Sequence, residues 1–316
     1  MAVHKIKLNL RNQAVWIMLI AVVLVFSIAI PNFATSGNFI TILRQVSNIG
    51  ILSVGMTFVL IAGGIDLSIG AMIALIGVAS ALFMTKFGLH PVPACVLGLL
   101  LGVLIGLING LFVTYTRMPP LIMTLGMSYV VKGMAYIING GYPVYGLPPG
   151  IKVLGQGYIL TYVPVCVLIM AGIIILGAII MNQTHLGRQF YALGGNEEAA
   201  RLSGINVKRV RVISYIICGF LAAASGILMM SRVNSGQPLS GTGMEMDALI
   251  ACVVGGISVA GGEGRATGMI GGMLVMGVLA NGLAVGGMSE YMQTVVKGGV
   301  LIIVVAVDCL SRKQKI

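Results

Sequence analysis

The most chemically distinctive residues form a short polar run in a chain that is otherwise strongly apolar. The run from Asn196 to Gly204 reads Asn-Glu-Glu-Ala-Ala-Arg-Leu-Ser-Gly. Asparagine is a favoured N-cap, two glutamates in the first turn suit the helix dipole, and a glycine can end the helix at C′. The run therefore predicts a short capped helix, to which Gly194-Gly195 would give a flexible approach.

This helix is suited to binding another protein in the cytoplasm. The alternative, given equal weight, is a solvated loop helix that has no partner. It lies in the one long polar loop of the chain, residues 182–211, which carries further basic residues. The residues predicted to make the contact are Asn196, Glu197, Glu198, Ala199, Ala200, Arg201, Leu202 and Gly204.

A second set of residues combines paired glycines with polar side chains inside or between apolar runs. Irregular backbone at membrane depth is tolerated only where it is buried in protein or lines water, so these positions predict a pathway or gate. The predicted residues are Gly63, Gly64, Asp66, Ser68, Asn109, Thr124, Gly255, Gly256 and Asn281. The alternatives are a turn in which Asp66 and Ser68 cap the next helix and, for both asparagines, hydrogen bonds between helices.

Lys132 and Lys297 are the two formal charges well inside predicted spans. Intramembrane ionisable groups are costly and are functional candidates for that reason. For Lys132 the favoured interpretation is that the side chain snorkels to the nearer interface.

Catalytic chemistry is not indicated by the sequence. There is no G-x-x-x-x-G-K-[ST] phosphate-binding loop, so any energy from ATP must come from a separate protein. The histidines are scattered, and the five cysteines lie in apolar runs without a CxxC pair, which favours buried hydrophobes over a metal site or disulfide. We therefore expect a non-enzyme without its own cofactor, and we expect ATP and Mg on a partner subunit.

Composition identifies lipid as the solvent of most of the chain. Hydrophobic residues make up 58% and charged residues 9%, far fewer than the roughly one quarter usual in soluble domains. Runs long enough to cross a bilayer predict an all-α, polytopic membrane protein with about ten transmembrane helices, the eighth of them short or broken. The predicted spans are 14–30, 46–62, 69–87, 94–114, 121–138, 162–181, 212–230, 245–260, 267–285 and 291–307. Residues 1–316 are expected to form a single transmembrane domain in contact with membrane lipid.

The net charge of +11 is distributed as expected for a membrane protein and does not favour nucleic-acid binding. With both termini placed in the cytoplasm, cytoplasmic segments hold thirteen lysines and arginines and external segments hold four. This asymmetry follows the positive-inside rule and supports an even number of crossings. The thirteen are Lys5, Lys7, Arg11, Arg117, Arg188, Arg201, Lys208, Arg209, Arg211, Arg265, Arg312, Lys313 and Lys315. The four are Arg44, Lys86, Lys152 and Arg232.

An internal echo suggests two related halves. Leu107-Ile-Asn-Gly-Leu-Phe-Val113 and Leu279-Ala-Asn-Gly-Leu-Ala-Val285 agree at five of seven positions, and a Lys-Gly pair follows in the next span of each half. Five spans in each half would turn the second copy upside down, an arrangement common in transporters. We predict inverted repeats over about 14–138 and 162–307; chance similarity of two apolar helices is the alternative.

Longer motifs make the chain resemble the ribose-type ABC sugar permeases over about residues 31–308. They include the whole segment Gly187–Gly204, Ala62-Gly-Gly-Ile-Asp-Leu-Ser-Ile-Gly70, Pro119–Gly126, Ser235-Gly-Gln-Pro238, and a final third that runs from Met246-Asp-Ala through Asn281-Gly-Leu to Asp308. The resemblance implies a homodimeric permease of the bacterial cytoplasmic (inner) membrane. It also implies a periplasmic or extracellular sugar-binding protein and a cytoplasmic protein with tandem ATP-binding domains, docked on the loop that carries Glu197 to Gly204. The expected function is ATP-driven uptake of a ribose-like monosaccharide by alternating access between two copies of the chain.

An ion-coupled secondary carrier for a small polar solute is the alternative function. Such carriers usually place carboxylates inside their spans, whereas the acidic residues of this chain fall at or near predicted span ends. A passive channel is less favoured, because its helices should share a polar face.

Overall fold

The computed structural model describes the backbone of residues 2–159 and 162–313 and the side chains of residues 13–159 and 162–306. This part of the chain is almost entirely helical, with one short antiparallel hairpin. The helices are α1 Ala2–Ala29, α2 Ser36–Ile61, α3 Ile69–Thr85, α4 Pro91–Tyr115, α5 Pro120–Ile137, α6 Lys152–Gln156, α7 Val165–Gln183, α8 His185–Gly195, α9 Glu197–Leu202, α10 Val207–Val233, α11 Met244–Val254, α12 Ala266–Val285 and α13 Glu290–Lys313. A 3₁₀ turn covers Pro149–Ile151, and strands β1 (Tyr158–Ile159) and β2 (Val163–Pro164) pair with Ile159 opposite Val163.

Six helices of the described chain are long and apolar enough to cross a membrane: α2, α4, α5, α7, α10 and α12. Two shorter apolar helices, Gln13–Ala29 and Ile69–Thr85, accompany them. The all-α, polytopic membrane class is therefore confirmed, while the count of ten spans stays a prediction. Several basic side chains that carry the predicted orientation lie outside the described residues: Lys5, Lys7, Arg11, Arg312, Lys313 and Lys315. Asp308 and Cys309 lie outside them as well.

Helix α2 is the central helix of the bundle, and its predicted start at residue 46 is wrong. The helix begins at Ser36, and Thr35 is its N-cap, whose side chain accepts a hydrogen bond from the backbone N–H of Asn38. Arg44, assigned from sequence to the preceding loop, lies within α2. Its guanidinium lies 4.6 Å from the ring centroid of Tyr158 and 3.3 Å from the carbonyl oxygen of Gln156. Contacts with Gln156 of α6 and with Tyr158 of β1 therefore accommodate an arginine inside a helix that was predicted from apolar residues alone.

A seam of glycines joins α4 to α10. A Cβ added to Gly106 would lie 2.3 Å from the carbonyl oxygen of Tyr215, so the two backbones can approach this closely only without a side chain. Gly102 and Gly219 lie against each other's helices in the same way. Gly102 and Gly106 of α4 thus form a packing seam with α10.

Two irregular segments interrupt the bundle from opposite ends. Residues 62–68 follow α2 and precede α3. Residues 234–243 leave α10 and run beside α3, with Gly236 against Gly77 and Gly241 against Gly70. Helix α11 therefore starts next to the first turn of α3, at depth within the bundle. It has 11 residues and ends at Gly255, which confirms the short, broken character predicted for this region.

Candidate functional site

The predicted helix of the polar loop is confirmed. Asn196 is the N-cap of α9, and its side-chain oxygen accepts a hydrogen bond from the backbone N–H of Ala199 at 3.0 Å. Gly204 has φ +83°, the left-handed conformation that ends a helix at C′. The local capping chemistry is therefore sufficient to define this helix, as the sequence indicates.

Helix α9 presents a charged surface with an apolar tip. Five of its six residues are exposed and Ala200 is buried; Leu202 is 79% exposed. Arg201 donates two hydrogen bonds to the Glu198 carboxylate, at 2.6 and 3.2 Å, and this contact lowers the pKa of Glu198. Glu197 forms an ion pair with Arg211 of α10. The exposed leucine beside these charges gives α9 the mixed character of a protein-binding surface.

Helix α8 precedes α9 and was missed by the sequence reasoning. Thr184 caps it by accepting a hydrogen bond from the Gly187 N–H at 3.1 Å. Phe190 and Leu193 are buried on one face, and the Phe190 ring lies 5.6 Å from the ring of Phe58 in α2. The available signal was the threonine cap followed by apolar residues at helical spacing.

Gly194 lies at a junction of three chain segments and does not provide the flexible approach expected from sequence. Both Gly194 and Gly195 belong to α8. A Cβ on Gly194 would lie 1.8 Å from the carbonyl oxygen of Ile61 and 2.5 Å from the backbone nitrogen of Gly262. The Gly262 N–H donates to the Ile61 oxygen at 3.0 Å. Helix α8 is therefore packed against both the end of α2 and the loop between α11 and α12.

The segment after α2 carries a fully buried polar cluster, which we define as Asp66, Ser68 and Asn109. The Ser68 hydroxyl donates to Asp66 Oδ1 at 2.6 Å. Asn109 Nδ2 donates to Ser68 Oγ at 2.9 Å and lies 3.3 Å from Asp66 Oδ2. All three residues have 0% exposure. Asn109 thereby ties α4 to the segment that leads into α3. The Ser68 side chain bonds to Asp66 and makes no cap bond with α3, so the alternative of a capped turn is not confirmed for Ser68.

The structure brings together six of the nine predicted pathway residues. Thr124 of α5 donates to the Ile65 carbonyl oxygen at 3.2 Å, which places it beside the polar cluster, and Gly63 and Gly64 precede the cluster in the same segment. Gly255 and Gly256 lie elsewhere, at the end of α11. Asn281 lies at the other end of α2, where its side-chain oxygen accepts a hydrogen bond from Asn38 at 2.9 Å. A transport role for any of them stays a prediction.

The two intramembrane lysines have different surroundings. Lys297 of α13 forms an ion pair with Asp247 of α11, with 2.8 Å between Nζ and Oδ2. Lys132 of α5 is exposed and has no ion-pair partner among the residues that the structure describes. It lines a small hollow together with Glu245 of α11.

The chain matches a known family over most of its length. Residues 38–305 match the family model described as branched-chain amino acid transport system / permease component. The chain belongs to this family. The permease is, more narrowly, of the ribose-type ABC sugar permease group, as the resemblance in its motifs indicated.

Individual relatives of the permease agree with this assignment. The ribose import permease protein of Bacillus subtilis is 42% identical over 295 residues, which cover 92% of this chain and 90% of the relative. The ribose import permease protein of Escherichia coli strain K12 is 41% identical, covering 96% and 95% of the two chains. The xylose transport system permease protein of Haemophilus influenzae is 31% identical, covering 98% and 99%. No solved structure matches the chain.

Family membership fixes the class of the permease. It is a multi-pass membrane protein and a transport subunit, and its relatives are named as permeases rather than enzymes. The family implies an ATP-binding partner and a substrate-binding partner.

Proposed function

We propose that the permease is the membrane subunit of an ATP-driven importer of a monosaccharide, ribose or a related pentose. Two copies of the chain enclose the pathway between them and expose it to each side of the bacterial cytoplasmic membrane in turn. The sugars named for three of its relatives, ribose for two and xylose for one, support this choice. Both termini, α8 and α9 face the cytoplasm, where the tandem ATP-binding protein supplies ATP and Mg.

One observation carries this proposal: the exposed α9 is connected through the tightly packed α8 to the end of α2 and to the loop between α11 and α12. The ATP-binding partner docks on α9, with Leu202 entering an apolar hollow of the partner. Because Gly194 leaves no space between α8, Ile61 and Gly262, a displacement of α9 is passed to the end of α2 and to the loop between α11 and α12. These places adjoin the segment 62–68 and the end of α11, which must rearrange for the pathway to open. A binding protein delivers the sugar from the other side.

An ion-coupled carrier is the second candidate function, because of Asp66. This carboxylate is completely buried and has no lysine or arginine partner in the described part of the chain. Buried carboxylates of this kind bind the coupling proton in many carriers. The two functions differ in their energy source and can be separated in reconstituted liposomes.

Charge reversal on α9 tests the proposal. Glu198→Lys removes the ion pair with Arg201 and reverses the charge offered to the partner. Gly204→Pro cannot adopt φ +83° and removes an N–H that donates to the Arg201 carbonyl oxygen. We expect both variants to insert normally and to lose ATP-dependent uptake of radiolabelled ribose in liposomes that contain the ATP-binding and sugar-binding partners.

Lys86→Glu is the matched control, since Lys86 is exposed at the end of α3 away from α9, and this variant should transport normally. Normal ATP-dependent uptake by the α9 variants would contradict the coupling role of this helix. Ribose accumulation by the permease alone on a proton gradient would contradict the whole proposal and would favour the carrier.

A further inference from the structure

A polar hollow lies where α3, α5, the segment 234–243 and α11 meet, and none of its lining residues belongs to the cluster of Asp66, Ser68 and Asn109. Its floor is the backbone of α3 between Gly70 and Ala74. The absence of a side chain at Gly70 lets the Glu245 carboxylate lie directly against this helix, because an added Cβ would collide with it. The polar side chains that line the hollow are Ser128, Lys132, Ser240, Thr242 and Glu245.

The two charges in this hollow lie close enough to attract each other but do not form an ion pair. Neither Lys132 nor Glu245 has an ion-pair partner within the described residues, whereas Lys297 and Asp247 close to 2.8 Å. Lys132 is on the spanning helix α5 and Glu245 is on the short α11 inside the bundle. An unpaired charge that faces lipid is costly. Since Lys132 is exposed and Glu245 is partly exposed, this surface must face water or a polar ligand when the protein is in its membrane.

The hollow is too small to hold a monosaccharide, so one chain would supply only part of a binding site. Its volume is about 50 Å³, enough for a water molecule or two, while ligand pockets usually measure about 300–1,000 Å³. The opposite wall must come from another body of protein. A pathway between two copies of the chain, as in the proposed function, provides that wall from the same residues of the second copy.

The chemistry of the hollow selects the kind of ligand. The hydroxyl groups of Ser128 and Ser240 can donate and accept, while that of Thr242 donates to the Leu239 carbonyl oxygen and can still accept. The ammonium group of Lys132 only donates, and the carboxylate of Glu245 only accepts when ionised. One positive and one negative charge give no net attraction for an anion or a cation. A neutral polyol matches this set, because each of its hydroxyls can both donate and accept.

We propose that Ser128, Lys132, Ser240, Thr242 and Glu245 form the wall of the translocation pathway that contacts the hydroxyl groups of the passing monosaccharide. This inference rests on the proposed function, since it places the pathway between two copies. It differs from the sequence-based choice of pathway residues, none of which lies in this hollow.

Access to water is the first test. Ser128→Cys and Ser240→Cys are nearly isosteric changes, and a charged, water-soluble thiol reagent modifies only cysteines that water reaches. We expect both to react above the background of the unchanged chain, and the modified transporters to lose ribose uptake. Ile175→Cys is the matched control: it lies on the exposed, apolar face of α7 and should not react. Unreactive cysteines at both serine positions would overturn the proposal.

Transport by charge-removed variants is the second test. Lys132→Gln and Glu245→Gln should each lower the maximal ribose uptake rate about tenfold, the loss expected for one hydrogen bond to a charged group. Lys132→Arg and Glu245→Asp should recover part of it. The thermal unfolding temperature should stay unchanged, which separates ligand contact from a structural role.

The remaining outcomes are decisive in either direction. Uptake within twofold of the unchanged permease in both glutamine variants, or a lowered unfolding temperature that accounts for the loss, would overturn this inference. If the unchanged permease with its partners takes up no ribose, xylose or galactose with ATP, the proposed function itself fails. That result does not depend on any variant of the hollow.

Discussion

The same Lys-Gly pair occurs in α5 and in α13, with different surroundings. Lys297 of α13 reaches across to Asp247 and closes a 2.8 Å ion pair that fixes α13 to α11. Lys132 of α5 lies near Glu245, also on α11, without closing such a pair. Helix α11 thus carries two carboxylates two positions apart, one used to hold the bundle together and one left open. The presence of a charge in a span therefore does not show whether the residue has a structural or a functional role. Whether the charge has an ion-pair partner in the structure separates the two cases.

The two asparagines of the internal echo show a similar difference. Asn109 and Asn281 lie near opposite ends of α2, as an inverted repeat requires, although the repeat itself stays a prediction. Asn109 supports a buried carboxylate, while Asn281 makes one hydrogen bond to Asn38, whose side chain also donates to the Phe33 carbonyl oxygen. The corresponding asparagines of the two halves therefore make different hydrogen bonds, and we expect their removal to cost different amounts of stability.

Breaking the closed ion pair should have the largest effect on stability. Asp247→Asn leaves the Lys297 ammonium with a neutral partner, at a site where the two side chains are only 23% and 12% exposed. Removing one member of a largely buried pair costs about 3 kcal/mol. We expect a clear fall in the thermal unfolding temperature of the purified permease in detergent.

Glu245→Gln is the comparison for this prediction and should leave the unfolding temperature unchanged, because it breaks no ion pair. The exchange variant Asp247→Lys with Lys297→Asp should recover most of the lost stability, since opposite charges again face each other. Equal unfolding temperatures for Asp247→Asn and Glu245→Gln would remove the distinction between a closed and an open charge.

An intermediate effect is expected for the asparagines. Asn109→Ala takes away the donor nearest to Asp66 Oδ2 in a site with 0% exposure, which should cost about 2 kcal/mol. Asn281→Ala loses one hydrogen bond between helices, which is worth about 1 kcal/mol or less. Denaturation of the two variants side by side measures the difference, and a larger loss for Asn281→Ala would show that the burial of Asp66 is not what makes Asn109 important.

Local sequence chemistry was sufficient where the determinants lie close together in the chain. The helix Glu197–Leu202 could be predicted because its cap, acidic first turn and terminal glycine are all within nine residues. The short α11 could be predicted for the same reason, since Gly255 and Gly256 stop it locally. The family motifs extended this success to the class of the protein.

The sequence could not show features that depend on distant contacts. The residues next to Arg44 in the chain do not predict its contact with the Tyr158 ring, which accommodates this arginine within α2. Gly194 looks like a flexible residue until Ile61 and Gly262, both far away in sequence, are found against it. The polar hollow was missed because its polar side chains come from two stretches that are far apart in the chain, 128–132 and 240–245. The serines and the threonine among them are also common residue types in membrane proteins.

The smallest expected effects concern the glycines that follow the two lysines. A Cβ added to Gly133 or to Gly298 would meet nothing within 4 Å, and both residues lie inside helices. Replacement by alanine should therefore leave the fold intact and raise helix stability by at most about 1 kcal/mol. We expect Gly133→Ala and Gly298→Ala to unfold at the same temperature as the unchanged permease or slightly above it. A marked loss of the proposed dimer in either variant, measured by light scattering of the detergent complex, would mean that this glycine packs against a second copy of the chain. The comparison between the halves would then extend to the proposed surface between copies.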